Sequence, residues 1–150
     1  MTHTVNSLLN RQLLVVVVFT AALVPQGLKA AEVQCPLGNA TRHGTYVVFG
    51  TGSIVGLGPV AVVGEITYDG EGNEHAHYTA SLNGSIHKDV KVTGVYTVNS
   101  DCTGWVTESD GSHYSFVMSP DGSKVSWIQT DAGTVISGTE VRLRNLDWDY

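Results

Sequence analysis

Apolar and polar residues alternate in short runs along most of the chain after residue 42. Ala76, Tyr78, Ala80 and Leu82, for example, are separated by polar residues. Because successive side chains of a β-strand point to opposite faces, this period of two indicates strands with one buried face. The pattern predicts eight strands, near residues 43–50, 60–68, 75–82, 89–98, 104–108, 112–118, 124–130 and 134–143.

Turn signals separate these strands. Asn83-Gly84 and Asp110-Gly111 are two of four Asx-Gly pairs, which tolerate the positive φ of tight hairpin turns. Short turns predict an antiparallel meander, whose two exposed edges disappear if it closes into a barrel. We therefore predict an all-β fold, a single antiparallel up-and-down barrel of about eight strands, with a two-sheet sandwich as the alternative. A barrel of this size can hold one small ligand.

Glycines modify this pattern in two places. Four side chains of one predicted strand share a face: Val90, Val92, Tyr96 and Val98. Gly94 lies among them, and we expect it at a tight bend where a side chain would crowd the barrel interior. The glycine-rich stretch 50–59 is instead interpreted as a flexible connection, whose apolar residues either cover the barrel mouth or pack against the barrel end.

The first thirty residues differ from the rest. A polar start with Arg11 precedes an apolar run from Leu13 to Val24, and small residues follow. This order is typical of a cleaved secretory signal peptide. The apolar run is too short for a membrane-spanning helix, which needs about 20 residues. We therefore predict a secreted or periplasmic protein, divided into a signal peptide (1–30), a β-barrel domain (31–144) and an acidic aromatic tail (145–150).

Charge excludes some partners. The full chain has a formal charge of −6, with 8 basic and 14 acidic residues. Cleavage would remove Arg11 and Lys29 and no acid, leaving six basic residues and a charge of −8. An acidic surface with few cations argues against binding nucleic acid or an anionic membrane.

The chain has two cysteines, Cys35 and Cys102. In an oxidising compartment an even count of two predicts one disulfide. The ring of roughly 67 residues that it closes would be worth about 4 kcal/mol by the chain-entropy model. A reactive thiol is the alternative, but the sequence contains no Cys-x-x-Cys spacing.

Four segments carry a resemblance: GTYVVFG, VAVVGEITYDGEGN, VTGVYTVNSDCTG and WIQTDAGTVISG. Together they resemble a group of small secreted proteins of undefined function that share a GxYTV-x-x-DCTG hairpin, and the similarity covers most of residues 43–143. The group is similar to calycin-type and allene-oxide-cyclase-type β-barrels. That class includes lipid binders, dirigent proteins and cyclases that fold a flexible substrate in an apolar cavity. The resemblance implies a barrel and assigns no catalytic residue.

Two residues are candidates for proton transfer. Glu65 lies in an otherwise apolar strand, and burial would raise its pKa if it pointed inward, although the alternation around it favours the outer face. Tyr96 shares a face with apolar residues and could supply a proton or a hydrogen bond. These two residues are the tentative catalytic pair of the sequence.

Large side chains on separate strands are candidates for a ligand site. In a barrel they could converge on one cavity, where ring faces give apolar contact and phenol or indole groups give hydrogen bonds. The alternative is that they fill a dry core. The candidate ligand-binding residues are Tyr78, Trp105, Tyr114, Met118 and Trp127.

Histidines and asparagines raise two further possibilities, metal binding and glycosylation. His75 and His77 lie on one strand face, but a metal site needs further ligands, which the sequence does not place nearby. We predict no metal and no cofactor. Asn39 and Asn83 match the N-glycosylation pattern, which matters if the source is a eukaryote.

These observations predict a secreted β-barrel that encloses a small hydrophobic molecule in an aromatic-lined cavity. The first alternative is a cofactor-independent cyclase or isomerase of a natural-product pathway, which would template its substrate inside the barrel. The second is a structural or interaction protein with a dry core. The expected partner is a small hydrophobic molecule, without nucleic acid and without a membrane after signal cleavage.

Overall fold

The computed structural model describes residues 34–143. The predicted signal peptide (1–30) and the acidic aromatic tail (145–150) lie outside the described residues. Across residues 34–143, no helix is long and apolar enough to cross a membrane.

The described residues form eight antiparallel strands that close into a barrel. Each strand pairs with the next, and the last pairs with the first. The all-β, up-and-down barrel prediction is therefore confirmed, and the sandwich alternative is wrong. The strands are β1 (His43–Ile54), β2 (Gly58–Asp69), β3 (Asn73–Leu82), β4 (Ser85–Val98), β5 (Thr103–Glu108), β6 (His113–Met118), β7 (Lys124–Gln129) and β8 (Thr134–Arg142).

The interpretation of residues 50–59 as a flexible connection is wrong. β1 continues to Ile54, β2 begins at Gly58, and a three-residue turn joins them. The glycines here make room inside the barrel, since a Cβ on Gly50 would lie 2.5 Å from the Trp127 ring. Gly138, on the neighbouring strand, leaves space for the same ring, which a Cβ would approach to 2.4 Å. Because glycine has no side chain, Gly50 on β1 and Gly138 on β8 leave space for the large side chain of Trp127 on β7.

The segment before β1 closes one end of the barrel. Residues 34–42, which we call the N-terminal plug, include a 3-10 helix at Gly38–Thr41. Cys35 forms a disulfide with Cys102 in the β4–β5 turn, with Cα atoms 5.0 Å apart, which confirms the predicted bond. Asn39 holds the plug to β4, because its Oδ1 accepts a 2.8 Å hydrogen bond from the Val98 N–H.

Three buried tyrosines pack behind the plug. Tyr68 makes edge-to-face contacts with Tyr46 and Tyr96, with ring centroids 5.2 and 5.1 Å apart. The Tyr96 hydroxyl donates to the Arg42 carbonyl at 2.7 Å, and the Tyr46 hydroxyl donates to the Gly122 carbonyl at 2.6 Å. Each of these two phenols thus satisfies its polar group while its ring fills the core.

Replacing both cysteines with alanine should lower the free energy of unfolding by about 4 kcal/mol, because the unfolded chain loses a cross-link between residues 35 and 102. Equilibrium denaturation in urea measures this difference. The chemically reduced wild-type protein serves as the control and should unfold at the same urea concentration as the variant. A loss below about 1 kcal/mol would contradict the entropic account of the bond.

Candidate functional site

A cavity of about 340 Å³ occupies the barrel interior. It extends from the buried side chain of Arg42 to the barrel end opposite the disulfide, where Ile54, Leu82 and Gln129 border it. Its walls are mainly inward-facing aliphatic side chains, because every second residue of each strand points inside. These include Val48, Val60, Val62, Ile66, Ala76, Ala80, Val106 and Ile136.

Three aromatic side chains complete the walls. Tyr78 comes from β3, Tyr114 from β6 and Trp127 from β7. The Tyr114 and Trp127 rings pack edge to face, with ring centroids 5.4 Å apart. The indole Nε1 of Trp127 is buried and has no hydrogen-bond partner among residues 34–143. The walls therefore offer contacts with aromatic rings to a ligand, together with one unused hydrogen-bond donor, the Trp127 indole N–H.

Arg42 enters the barrel from the plug and forms the cavity floor together with Tyr68, Glu74 and Glu140. Its Nη2 donates to both carboxylate oxygens of Glu140, at 2.8 and 2.7 Å, and to the Tyr68 hydroxyl. The guanidinium carbon lies 3.9 Å from the Tyr68 ring centroid and 4.2 Å from that of Phe116. Arg42 and Glu140 are 1% and 3% exposed. Removing one partner of such a buried pair typically costs about 3–5 kcal/mol, because the other charge is left uncompensated.

Arg42 keeps its charge in this position. Burial lowers the pKa of the guanidinium, but Tyr68 and Glu140 outweigh that effect, so the pKa lies above its ordinary value. A permanent cation is therefore present beneath the mainly apolar walls of the cavity.

Glu74 is the second acidic side chain of the floor. It is 1% exposed, and neither of its carboxyl oxygens has a hydrogen-bond partner in the described part of the chain. The neighbouring Tyr68 hydroxyl donates to Glu140 at 3.1 Å and lies near enough to Glu74 to lower its pKa, without the geometry of a hydrogen bond to it. Burial raises the pKa of Glu74 to about 7, with Arg42 opposing the shift and Glu140 adding to it. Near neutral pH this carboxyl exists in both protonation states.

Glu108 lies on the other side of Gly94 from Glu74. Glu74 pairs with Gly94 across β3 and β4, and Gly94 pairs with Glu108 across β4 and β5. A Cβ on Gly94 would stand 2.6 Å from Oε1 of Glu74, so the Glu74 carboxyl leans over the glycine. This agrees with the expectation that a side chain at residue 94 would crowd the interior. We call Glu74 and Glu108 the carboxyl pair.

The pair is electrostatically coupled. Burial raises the pKa of Glu108 to about 8, and the charges of Glu74 and Asp110 add to the shift. The Tyr114 hydroxyl donates to Glu108 at 3.4 Å. Two carboxyl groups that hold protons near neutral pH thus project into one cavity.

The cavity receives three of the five predicted ligand-binding residues, Tyr78, Tyr114 and Trp127. Met118 also faces inward, but it is buried at the disulfide end, where its N–H donates to the Cys102 carbonyl, and it does not border the cavity. The prediction for Trp105 is wrong, because its side chain is 46% exposed on the outer face.

The two proton-transfer candidates also lie elsewhere. Glu65 is exposed on the outer face of β2, as the alternation around it favoured, so the inward orientation that catalysis required is wrong. Tyr96 is buried, but its hydroxyl is used by the Arg42 carbonyl and its ring borders the plug rather than the cavity. Burial raises the pKa of Tyr96 to about 12. The groups able to exchange protons in the cavity are instead the carboxyl pair.

The remaining candidates are on the outside. His75 and His77 are exposed on the outer face of β3, and residues 34–143 contain no group of three metal-ligating side chains arranged to hold an ion. Asn83 is exposed in the β3–β4 turn, whereas the Asn39 amide donates to the Glu71 carbonyl at 3.3 Å. If the source glycosylates either asparagine, this placement favours Asn83.

The acidic groups of the cavity were missed at the sequence level. Glu74 is in phase with Ala76 and Tyr78, and Glu140 is in phase with Ile136, so a strict period of two would have placed both inside. No periodicity could have located Arg42, because it precedes β1 in an irregular segment.

Comparisons with known proteins add little to this geometry. No family model matches the chain, and no curated protein matches it. Among solved structures, the chain is similar to a de novo designed fluorescence-activating β-barrel, with a TM-score of 0.44 and 17% sequence identity. The match covers 67% of this chain and 93% of the other chain. The resemblance to calycin-type barrels thus stays a prediction beyond the barrel itself.

The raised pKa of Glu74 makes the stability of the ligand-free protein depend on pH. Its ordinary value is 4.5. Between that value and about 7 the folded state keeps a proton that the unfolded chain loses, so stability falls as pH rises through this window. Each such carboxyl contributes a slope of at most about 1.4 kcal/mol per pH unit.

We expect Glu74→Gln to flatten the decline in unfolding free energy between pH 4.5 and about pH 7, because glutamine does not titrate. Urea denaturation at several pH values measures the slope. Glu65→Gln, on the exposed outer face, is the matched control and should follow the wild-type curve. Equal slopes for wild type and Glu74→Gln would show that Glu74 does not titrate in this range.

Proposed function

We propose that this protein is a barrel that encloses a small, mostly hydrophobic molecule. The observation that carries the proposal is the cavity of about 340 Å³, whose walls are mainly aliphatic and aromatic and which polar side chains border at its floor and near its opposite end. Sites for small molecules typically measure about 300–1,000 Å³ and have this composition. A ligand of modest size would fit.

The arrangement of the cavity argues against a dry core. Side chains that merely fill a barrel would interdigitate and leave few voids larger than a water molecule. Here the space is bordered by buried polar groups, the Glu74 carboxyl and the Trp127 indole, that lack partners among the described residues. Buried polar groups normally have partners, so a bound molecule that supplies them explains both observations.

The proposed location is outside the cytoplasm, in a secreted or periplasmic form. The Cys35–Cys102 disulfide supports it, because such bonds persist in oxidising compartments. The signal peptide proposed for residues 1–30 is consistent with the same location.

Ala80→Phe should weaken binding of phenylnaphthylamine, an uncharged probe whose fluorescence rises in apolar surroundings, by at least about tenfold. Ala80 is buried and borders the cavity, so the added ring would occupy ligand space. Fluorescence titration measures the dissociation constant, and circular dichroism checks the fold.

Ala61→Phe is the matched control, because Ala61 is exposed on the outer face of β2. It should bind the probe like the wild type. If the wild type does not bind the probe, or if Ala80→Phe binds it equally well, the proposal of an internal ligand site is wrong.

A second candidate function is a cofactor-independent cyclase or isomerase. The unpartnered Glu74 carboxyl favours it, because a group with a pKa of about 7 can give and take a proton near neutral pH. Tyr96 and Glu65, the proton-transfer candidates of the sequence, do not border the cavity. We propose Glu74 for this role instead.

If Glu74 is the acid or base, turnover of a substrate by the wild type should show a bell-shaped or sigmoidal dependence on pH. We expect Glu74→Gln to abolish this dependence, because glutamine does not titrate. Steady-state assays across neutral pH measure this dependence, with Glu65→Gln as the control. An unchanged pH profile in Glu74→Gln would exclude Glu74 as the acid or base.

A further inference from the structure

The carboxyl pair gives the cavity an unbalanced charge. The charged or titratable side chains that border the cavity, within residues 34–143, include Arg42, Glu74, His87, Glu108, Asp110 and Glu140. Arg42 is already paired with Glu140 through two short contacts. Arg42 still lowers the pKa of Glu74, but within residues 34–143 it forms its ion pair with Glu140 and not with the carboxyl pair or Asp110. To the extent that the carboxyl pair is ionised, a ligand with a negative group would meet like charge.

Glu74 also lacks hydrogen-bond donors. It is only 1% exposed, and no group of the described chain donates to either oxygen. Leaving a buried carboxylate without hydrogen-bond donors costs more free energy than leaving a buried neutral polar group without a partner. Gly94 keeps the space above its backbone free of a side chain, and Oε1 of Glu74 occupies part of that space. Within residues 34–143, no group therefore takes the position of a hydrogen-bond donor to Glu74.

We propose that the bound molecule has an aromatic or alicyclic body and one protonated amine, and that the amine binds at the carboxyl pair. This inference rests on the proposed internal ligand site. The N–H groups of an ammonium would supply the donors that Glu74 lacks, and its charge would balance that of the pair. The body would lie against the Tyr114 and Trp127 rings, which border the same cavity.

Binding of such a cation should release protons. In the free protein, burial holds the pKa of Glu74 at about 7 and that of Glu108 at about 8, so the pair is partly protonated at neutral pH. A cation beside a carboxyl favours its ionised form, so the proton leaves to solvent as the amine binds. A neutral ligand of the same shape would not have this effect.

The test is a matched series with one aromatic body: naphthylethylamine, naphthylethanol and naphthylacetic acid. Each compound displaces phenylnaphthylamine from the wild-type protein at neutral pH. We expect the amine to bind about 10- to 100-fold more tightly than the alcohol, since hydrogen bonds to charged groups contribute about 1.5–3 kcal/mol. The acid should bind most weakly. It is the real competitor, because Nε and Nη1 of Arg42 are also buried without a partner among the described residues.

Substitutions in the carboxyl pair test whether it causes the preference for the amine over the alcohol. Glu74→Gln and Glu108→Gln should each reduce the preference for the amine over the alcohol, with the larger loss in Glu74→Gln. Glu65→Gln, outside the barrel, should leave it unchanged. Calorimetry of amine binding in two buffers of different ionisation enthalpy should detect proton release in the wild type and less of it in Glu74→Gln.

Outcomes separate this inference from the proposed function. If the alcohol or the acid binds the wild type as well as the amine, the amine inference is wrong while the ligand site stands, and this result needs no variant to fold. If none of the three displaces the probe although the probe binds, the inference is again wrong. If the wild type does not bind the probe at all, the internal site itself is excluded.

Discussion

The ion pair between Arg42 and Glu140 is the interaction on which the rest of the interior depends. A guanidinium buried between the Tyr68 and Phe116 rings is tolerable only because Glu140 accepts two hydrogen bonds from it and the ring faces contact the cation. By satisfying Glu140, it leaves Glu74 as the acidic group without a partner among the described residues. The fully buried charged groups are thereby concentrated at the floor of a cavity whose walls are mainly apolar.

The plug holds Arg42 in this position. The disulfide ties Cys35 to the β4–β5 turn, and Asn39 accepts a hydrogen bond from the backbone of β4 at Val98. The Tyr96 hydroxyl, bound to the Arg42 carbonyl, fixes the last residue of the plug. These contacts close one end of the barrel, so the cavity has a charged floor at that end and mainly apolar walls above it. A molecule with one polar end and an apolar remainder matches this asymmetry.

Individual residues show how far the sequence could be interpreted. Glu65 lies within a predicted strand and Glu74 immediately before one, yet Glu65 faces solvent and Glu74 faces the cavity. Trp105 and Trp127 differ in the same way. Alternation alone was ambiguous because the outer face is itself partly apolar, with Phe49 and Val63 each 54% exposed and directly paired across β1 and β2. Apolar character on both faces removes the contrast that period-two patterns rely on.

Apart from the β1–β2 hairpin, the sequence by itself determined the strands and their turns, together with the barrel class and the disulfide, because these follow from local periodicity, from turn residues and from a single pairing of two cysteines. Tertiary structure alone decided which aromatic rings share the cavity, that Glu74 lies across Gly94 from Glu108, and that Arg42 is inside. The physical reason is closure: pairing β8 with β1 sets the register around the whole barrel, and only then do residues distant in the chain acquire common neighbours. An irregular segment such as the plug has no period, so its position depends entirely on the barrel that it closes.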